Sequence, residues 1–576
     1  MKAKTAAPAP LRPSPTRRRH ARPAPSTHHA SRGQVRAPAV RLRPGEVAVD
    51  LFAGGGGASE AIRQALGIDP YVAVNHDQWA IGMHRANHPD TQHFCEDVWE
   101  VDPRTVCAGH KVGLLHGSPD CTHFSQAKGG QPRDRAIRSL SWVLLKWAGQ
   151  LHPRIVTLEN VRQIQGWTRL IAKRDKATGR VVTLDVLTDP VTGKKTNRVA
   201  DPGEHVPVRR QFLVPDKRCL GRTWRKFVNA LRAMGYEVEW FVLTADDYEG
   251  ADTDRQRLFM VARCDGEPIV RPKPNRTDRG CAARSIDWSI MGSSIFNRPR
   301  PLRPNTIRRL LDGACRGNWP EPYIQALEAL RDGRKPNLRI TREQAEEINR
   351  CFGHQSGLVM ATGGGGVARP VSLPIPTITG GGHGAAPHFI RPVIVHKMNS
   401  AGGRGGRTVD ESMPTCTTRG AGFLAEPIIA PYYGSGSGKS GQPCSRALPT
   451  VTAKARFGLA EPVIVSTCNS SSAGVRLSSD ALRTITTARG GDMAVGEPVI
   501  CGYSIDILYR MLVERELFNG QGFPRDYVID VTADGTRITR ERAVKMAGNS
   551  VSPPMYRAIL EANLDPIESV DQRMAA

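Results

Sequence analysis

Between Glu46 and Ala262, short apolar runs alternate with helical stretches, and this alternation limits the fold more than any other feature of the chain. Val47–Phe52 is an apolar run broken by Gly54–Gly57, after which a helical stretch reaches about Leu66. Tyr71–Val74 reads as a second short strand and Trp79–Asn87 as a second helix. Val112–His116 and Ile155–Leu158 are buried-strand candidates separated by the helical stretch Arg135–Gln150, and Leu258–Ala262 is a further one. The pattern predicts an α/β fold with a doubly wound, mostly parallel, Rossmann-like sheet. In such sheets ligands bind beyond the carboxyl ends of the strands, so chemistry is sought there.

The alternation divides the chain. Residues 1–44 hold no Asp or Glu and are rich in Arg, Pro, Ala and Ser. Such a segment buries too little apolar surface to offset its ordering entropy, so a disordered basic tail is expected, either an arm on nucleic acid or inert. Residues 45–270 form the expected catalytic domain, interrupted by a basic, polar insertion at 162–222 in which Asp189-Pro-Val-Thr-Gly-Lys194 reads as the turn of a hairpin. Residues 271–503 follow as a β-rich region, with repeats at 370–503 whose leading threonines are Thr377, Thr415, Thr450 and Thr484. These units are β-branched and glycine-rich, which predicts repeated β-hairpins that either only pack or also read a ligand. Residues 504–576 are expected to return to the catalytic domain.

Charge narrows the partner. Lys and Arg number 80 against 55 Asp and Glu, a formal charge of +25 that points to a polyanion. No apolar run approaches the roughly 20 residues that span a bilayer. The 12 cysteines are widely spaced without a C-x-x-C pair, so no metal site, no disulfide framework and a reducing cytosol are expected.

Four elements carry chemistry. Asp50-Leu-Phe-Ala-Gly-Gly-Gly-Gly57 closes a strand and opens a helix, where Gly54 and Gly56 let a ligand approach the backbone beside Asp50 and Phe52. Asp77, at the end of the second strand, is placed for ribose hydroxyls, and Asp97 for an adenine ring. Gly117-Ser-Pro-Asp-Cys121 follows a strand, which puts Cys121 in a polar loop as a candidate nucleophile with Pro119 beside it. Glu159-Asn160-Val161 ends the Ile155–Leu158 strand, so Glu159 lies across the mouth of the sheet from Cys121. Arg255 and Arg257 alternate on the approach to Leu258–Ala262, share one face, and suit a base carbonyl or phosphates. Gly434–Gly441 is a near miss for a phosphate loop, one residue too short, and reads as a plain loop.

In this order the elements resemble the cytosine-C5 DNA methyltransferase family. "DLFAGGGG" resembles its motif I, "SPDCTHFS" its catalytic motif IV, "ENV" motif VI, "DRQRLF" motif VIII, "RMLVERELFNGQGFP" at 510–524 motif IX and "GNSVSPP" at 548–554 motif X. The resemblance implies S-adenosylmethionine as cofactor and double-stranded DNA as partner. It implies attack by Cys121 on a flipped-out cytosine, with Glu159, Arg255 and Arg257 assisting. It also implies that Asn549, Ser550 and Val551 come to the motif I loop, that 271–503 is a target-recognition region, and that the chain acts as a cytoplasmic monomer in a prokaryotic or phage-infected cell. The family's proline before the nucleophile is replaced by Asp120, and His76 competes with Asp77 for the ribose position. A methyltransferase acting on RNA and a DNA-binding relative without catalysis are the alternatives.

Overall fold

The computed structural model describes residues 37–120, 134–193, 195–278, 280–351, 357–361, 367–378, 387–396 and 503–567, with six short strands between 428 and 495. The first part of the described chain runs β1 (Val40–Arg41), β2 (Glu46–Leu51), α1 (Gly57–Leu66), β3 (Val72–Val74), α2 (Gln78–Asn87), β4 (Gln92–Phe94), α3 (Pro103–Val106) and β5 (Lys111–Gly117). After it come α4 (Arg135–Ser139), α5 (Val143–Leu151), β6 (Ile155–Asn160), β7 (Leu170–Ala172), β8 (Val182–Thr188), β9 (Lys195–Val199), β10 (Leu213–Pro215), α6 (Arg222–Ala233), β11 (Glu237–Thr244) and β12 (Gln256–Arg263).

Seven of these strands form one sheet in the order β11-β12-β6-β5-β2-β3-β4, in which β12 alone runs against the rest. Side chains alternate across it. Val49, Leu51, Leu115, Val156, Leu158 and Met260 pack with α5 and α6 through Trp147, Trp224 and Phe227. Ala48, Leu114, Ile155, Phe259 and Val261 pack on the opposite face with Ile62 of α1. Two buried faces explain why the strands read as continuous apolar runs. The sheet is the mostly parallel α/β sheet expected from the alternation. Within 162–222, β7 pairs with β10, and β8 pairs with β9 as a hairpin whose turn spans Asp189 to Gly193.

The chain continues through β13 (Ser293–Ser294), α7 (Pro304–Arg316), α8 (Glu321–Arg331), β14 (Arg339–Ile340), α9 (Arg342–Cys351), β15 (Leu358–Met360), β16 (Arg369–Pro370) and β17 (His388–His396). Then come β18 (Ile428–Pro431), β19 (Gln442–Pro443), β20 (Phe457–Ala460), β21 (Val463–Ser466), β22 (Val475–Leu477), β23 (Met493–Val495), β24 (Tyr503–Met511), α10 (Glu514–Gln521), α11 (Arg540–Asn549), α12 (Pro553–Asn563) and β25 (Asp565–Pro566). A second sheet has the order β13-β24-β17-β15-β16, with β14 on β24. In three of the repeats the apolar run after proline is a strand: β17, β18 and β21. β18 pairs with β19 and β20, and β21 with β22 and β23, so the sequence repeat is also a repeat of pairing. The corresponding run of the fourth unit, 498–501, lies outside the described residues.

Three expectations need correction. Residues 37–44 do not belong to a disordered tail: β1 pairs with β25, and Val40 is buried in the core beside α1. Composition missed this because Val40 and Leu42 pack on a core built from distant segments; residues 1–36 lie outside those described. The region after residue 271 is not β-rich throughout, since α7, α8 and α9 occupy much of 304–351. Nor does the return to the first sheet begin at 504, because β24 pairs with β17 across nine residues of the second sheet.

Candidate active site at the carboxyl edge of the sheet

Leu51 ends β2, and the backbone then turns sharply through Phe52 (φ 62°), Gly54 (φ 55°) and Gly56 (φ 93°). An aromatic residue in the left-handed region is strained, and the surroundings hold it there. Ala53 N–H donates to Val74 O (3.1 Å), Gly56 N–H to Ala53 O (2.9 Å) and Ser118 Oγ to Phe52 O (3.4 Å). The glycines serve two purposes. A Cβ on Gly57 would stand 2.2 Å from both Ser550 Oγ and Val551 O, and one on Gly56 2.1 Å from Tyr527 Oη. Those two positions admit the protein's own return segment. At Gly54 the nearest atom to such a Cβ is Phe52 O at 3.7 Å, so here the loop stays open to a ligand.

Asp50 departs from the expected role. It is wholly buried beneath the loop, where Ser59 Oγ donates to its Oδ2 (2.7 Å) and His84 Nε2 lies 2.8 Å from the same hydroxyl. Burial pushes its carboxyl up to about 7. Enclosed in this way, Asp50 supports the loop from below and offers no contact to a ligand.

Asp77 and Asp97 both follow strands of the sheet, β3 and β4. Asp77 Oδ1 accepts from Trp79 N–H (3.0 Å) and caps α2, while its Oδ2 lies 3.6 Å from Lys545 Nζ. The carboxylate expected on a ribose is therefore engaged in a helix cap and an ion pair. His76 beside it is exposed. Asp97 is exposed and accepts from Trp99 N–H (3.0 Å).

On the other half of the edge, β5 delivers Ser118, Pro119 and Asp120, and Cys121 itself lies outside the described residues, with 122–133. Asn160 Nδ2 donates to Pro119 O (2.9 Å), tying the end of β6 to the approach of the Cys121 loop. Glu159 stands one residue before, 5% exposed. Because β12 is antiparallel to β6, with Phe259 opposite Glu159, the amino end of β12 lies beside the carboxyl end of β6. Arg257 Nε is thereby 2.9 Å from Glu159 Oε1, and Arg255 Nη2 4.0 Å away. Burial raises the Glu159 pKa and the two guanidinium groups oppose that rise; the net direction is upward. The two arginines do share a face, as their spacing predicts.

Their partners differ. Arg257 Nη1 donates to Gln256 O (2.8 Å). Arg255 is buried, and it donates to the carbonyls of Ile378 (3.3 Å), Gly548 (2.8 Å) and Ser550 (2.7 Å). Arg255 thus fastens the return segment and is not placed to hold a base or phosphate, a correction to its expected role. Ser550 and Val551 lie against Gly57, as the resemblance implied, while Asn549 at the end of α11 is exposed. Sequence reasoning missed Ser59, His84, His88 and Tyr527: His84 and His88 stand four residues apart at the end of α2, a spacing that could have been noticed, whereas Ser59 and Tyr527 come from elements distant in the chain. Asn160, which sits inside the quoted tripeptide, was within reach.

The fit of S-adenosylmethionine rests on the loop: an open glycine face at Gly54 and the amino end of α1 at the carboxyl edge suit a small ligand carrying a carboxylate. Among the described residues no group of three or more His, Cys, Asp or Glu could hold a metal ion, and no helix is long and apolar enough to cross a membrane.

The family model for C-5 cytosine-specific DNA methylase matches residues 47–173, 210–292 and 461–564. Its first gap contains the β8–β9 hairpin, and its second contains α7 to α9. The chain is 32% identical over 236 residues to Type II methyltransferase M.AgeI of Thalassovita gelatinovora, covering 40% of this chain and 42% of that protein. It is 27% identical over 249 residues to Type II methyltransferase M.XorII of Xanthomonas oryzae pv. oryzae, covering 42% and 46%. With DNA (cytosine-5)-methyltransferase PliMCI of Paracentrotus lividus the identity is 25% over 280 residues, 45% of this chain and 14% of the relative. The chain thus spans less than half the length of each of these relatives. With the glycine loop, the Glu159 site and the return segment in the family's order, and more than half of the sequence matched, the chain belongs to the C-5 cytosine-specific DNA methylase family.

Proposed function

We propose that the chain methylates carbon 5 of a flipped-out cytosine in a specific double-stranded DNA sequence, through a covalent adduct of Cys121. The observation that carries this reading is the buried Glu159 with its raised pKa, set between Arg257 and Arg255 and joined through Asn160 to the loop that leads to Cys121. S-adenosylmethionine, held by the Phe52–Gly56 loop with Asp97 and Pro119 nearby, supplies an electrophilic methyl group.

The ring carbons of cytosine are unreachable inside a duplex, so the base leaves the stack first. Cys121 thiolate bonds to carbon 6, and Glu159 in its protonated form donates to ring nitrogen 3, which takes up the electron density released into the ring. Arg257 orients Glu159 and faces the base carbonyl. Carbon 5 then becomes nucleophilic and would take the methyl carbon as its bond to the donor's sulfonium sulfur breaks, the electron pair staying on sulfur and the donor leaving as a neutral thioether. A base removes the proton from carbon 5, the ring double bond re-forms and Cys121 leaves as thiolate. The repeats at 370–503 read the target, and the basic insertion and amino-terminal arm add sequence-independent attraction to phosphates. The relatives named as type II methyltransferases favour a restriction-modification setting in the cytoplasm.

The test is transfer of a labelled methyl group to duplex DNA, with RNA as control and bisulfite sequencing to locate the product. The expected result is 5-methylcytosine at one sequence in DNA. Cys121→Ala should abolish transfer while DNA binding persists, and 5-fluorocytosine DNA should trap the intact chain. Full activity of Cys121→Ala would overturn the mechanism, and labelling of RNA alone would overturn the substrate.

A further inference from the structure

The underside of the glycine loop is held by a chain of buried polar groups that no motif contains. Tyr527 Oη donates to Gly55 O (2.8 Å) and lies 3.2 Å from His88 Nε2, and His88 Nδ1 lies 2.8 Å from Asp69 Oδ1. Tyr527 and His88 are almost fully buried, at 2% and 0% exposure. Gly55 O can only accept, so the single hydroxyl hydrogen of Tyr527 goes there, and the phenolic oxygen's lone pairs are left facing His88 Nε2. Tyr527 is itself anchored to α2, because Asn87 Oδ1 accepts from Val528 N–H (2.8 Å) and Asn87 Nδ2 donates to Val528 O (2.8 Å). Phe523 packs edge-on to the Tyr527 ring at 4.8 Å. Gly56 has no side chain at the point where a Cβ would strike Tyr527 Oη. The hydroxyl therefore reaches the loop backbone from a fixed point, one residue beyond Gly54, whose outer face is open.

We infer that Tyr527, oriented by His88 and Asp69, is a positioning residue that fixes the Gly54–Gly57 loop in the shape that binds the methyl donor. This rests on the reading of that loop as the donor site. The relay joins α2 and the return segment to the loop, so donor affinity depends on side chains that never touch the donor. Loss of the hydroxyl leaves a buried carbonyl without its donor and lets the loop relax to other conformations; the donor must then select the competent one, which weakens binding without changing the chemical step.

The experiment is calorimetric titration of the full chain with S-adenosylmethionine, beside steady-state methylation of DNA. Tyr527→Phe should raise Kd and the KM for the donor by about tenfold, the size of one lost hydrogen bond, with kcat at saturating donor and DNA affinity unchanged. His88→Gln, whose amide can still donate to the phenolic oxygen, should recover most of the affinity that His88→Ala loses. If Tyr527→Phe fails to fold, Asp69→Asn carries the test, with a smaller weakening in the same direction. Lowered thermal stability of the unliganded Tyr527→Phe protein with an unchanged Kd would overturn the inference. Failure of the unmutated chain to bind the donor would instead overturn the reading of the loop, and the inference with it.

Discussion

On the β2–β3 side of the carboxyl edge, the loops are held by backbone hydrogen bonds and by glycines against which the return segment presses. On the β6–β12 side, a buried carboxylate is held beside two guanidinium groups. The first half is a matter of backbone shape, and its buried carboxyl group, Asp50, is enclosed and serves the loop. The second half is a matter of charge, and its geometry depends on a single antiparallel strand that brings Arg255 and Arg257 to Glu159. Substitutions on the two sides should therefore fail in different ways, the shape side in stability and donor binding and the charge side in chemistry, except at Arg255, which also fastens the return segment.

The largest expected effect divides the two arginines. Arg255→Ala strands the carbonyls of Ile378, Gly548 and Ser550 and weakens the compensation of Glu159, so it should cost about 3–5 kcal/mol in denaturant unfolding. Arg257→Lys should leave stability nearly unchanged and lower kcat by about a hundredfold, since a lysine has no planar fork to orient Glu159. Equal losses of stability in both variants would erase the distinction within the charged half.

Gly57→Ala comes next. A methyl group 2.2 Å from Val551 O forces the return segment away, so about 1–3 kcal/mol of stability should be lost together with donor affinity, read by thermal unfolding with and without S-adenosylmethionine. Gly54→Ala, with open space but a left-handed backbone, should disturb stability less.

The smallest effect, counted per unit of pH, concerns titration. The folded pKa of Asp50, about 7, exceeds its ordinary value of 3.8. Between these values the folded state holds a proton that the unfolded state has released, so stability falls as pH rises through this window, by up to about 1.4 kcal/mol per unit. Asp50→Asn, which can still accept from Ser59, should flatten that dependence in unfolding curves recorded from pH 4 to pH 8, spanning the window. An unchanged slope would show that Asp50 is ionised in the folded protein.

The central sheet was legible in the sequence because strands covered on both faces are continuous apolar runs, and β2, β5, β6 and β12 fall where those runs lie. β11 was missed, since Glu237, Glu239 and Trp240 at the sheet's edge are exposed and break the run. α6 was missed although Trp224, Phe227, Val228 and Leu231 repeat at helical spacing and all face the core. At the site, Glu159 and the arginine pair were readable as types at strand ends. The division of labour between Arg255 and Arg257 was not, because it depends on carbonyls almost 300 residues away in the chain. The capping of α2 by Asp77 follows from local spacing.

The contact of Gly57 with Ser550 and Val551 also has a bearing on biosynthesis. The loop is walled by residues almost 500 positions later in the sequence, so a growing polypeptide has the glycines long before it has the wall that shapes them. On the proposed reading, the grip on the methyl donor is gained only once Ser550 and Val551 have been made, and a chain interrupted before them lacks a finished wall for the loop.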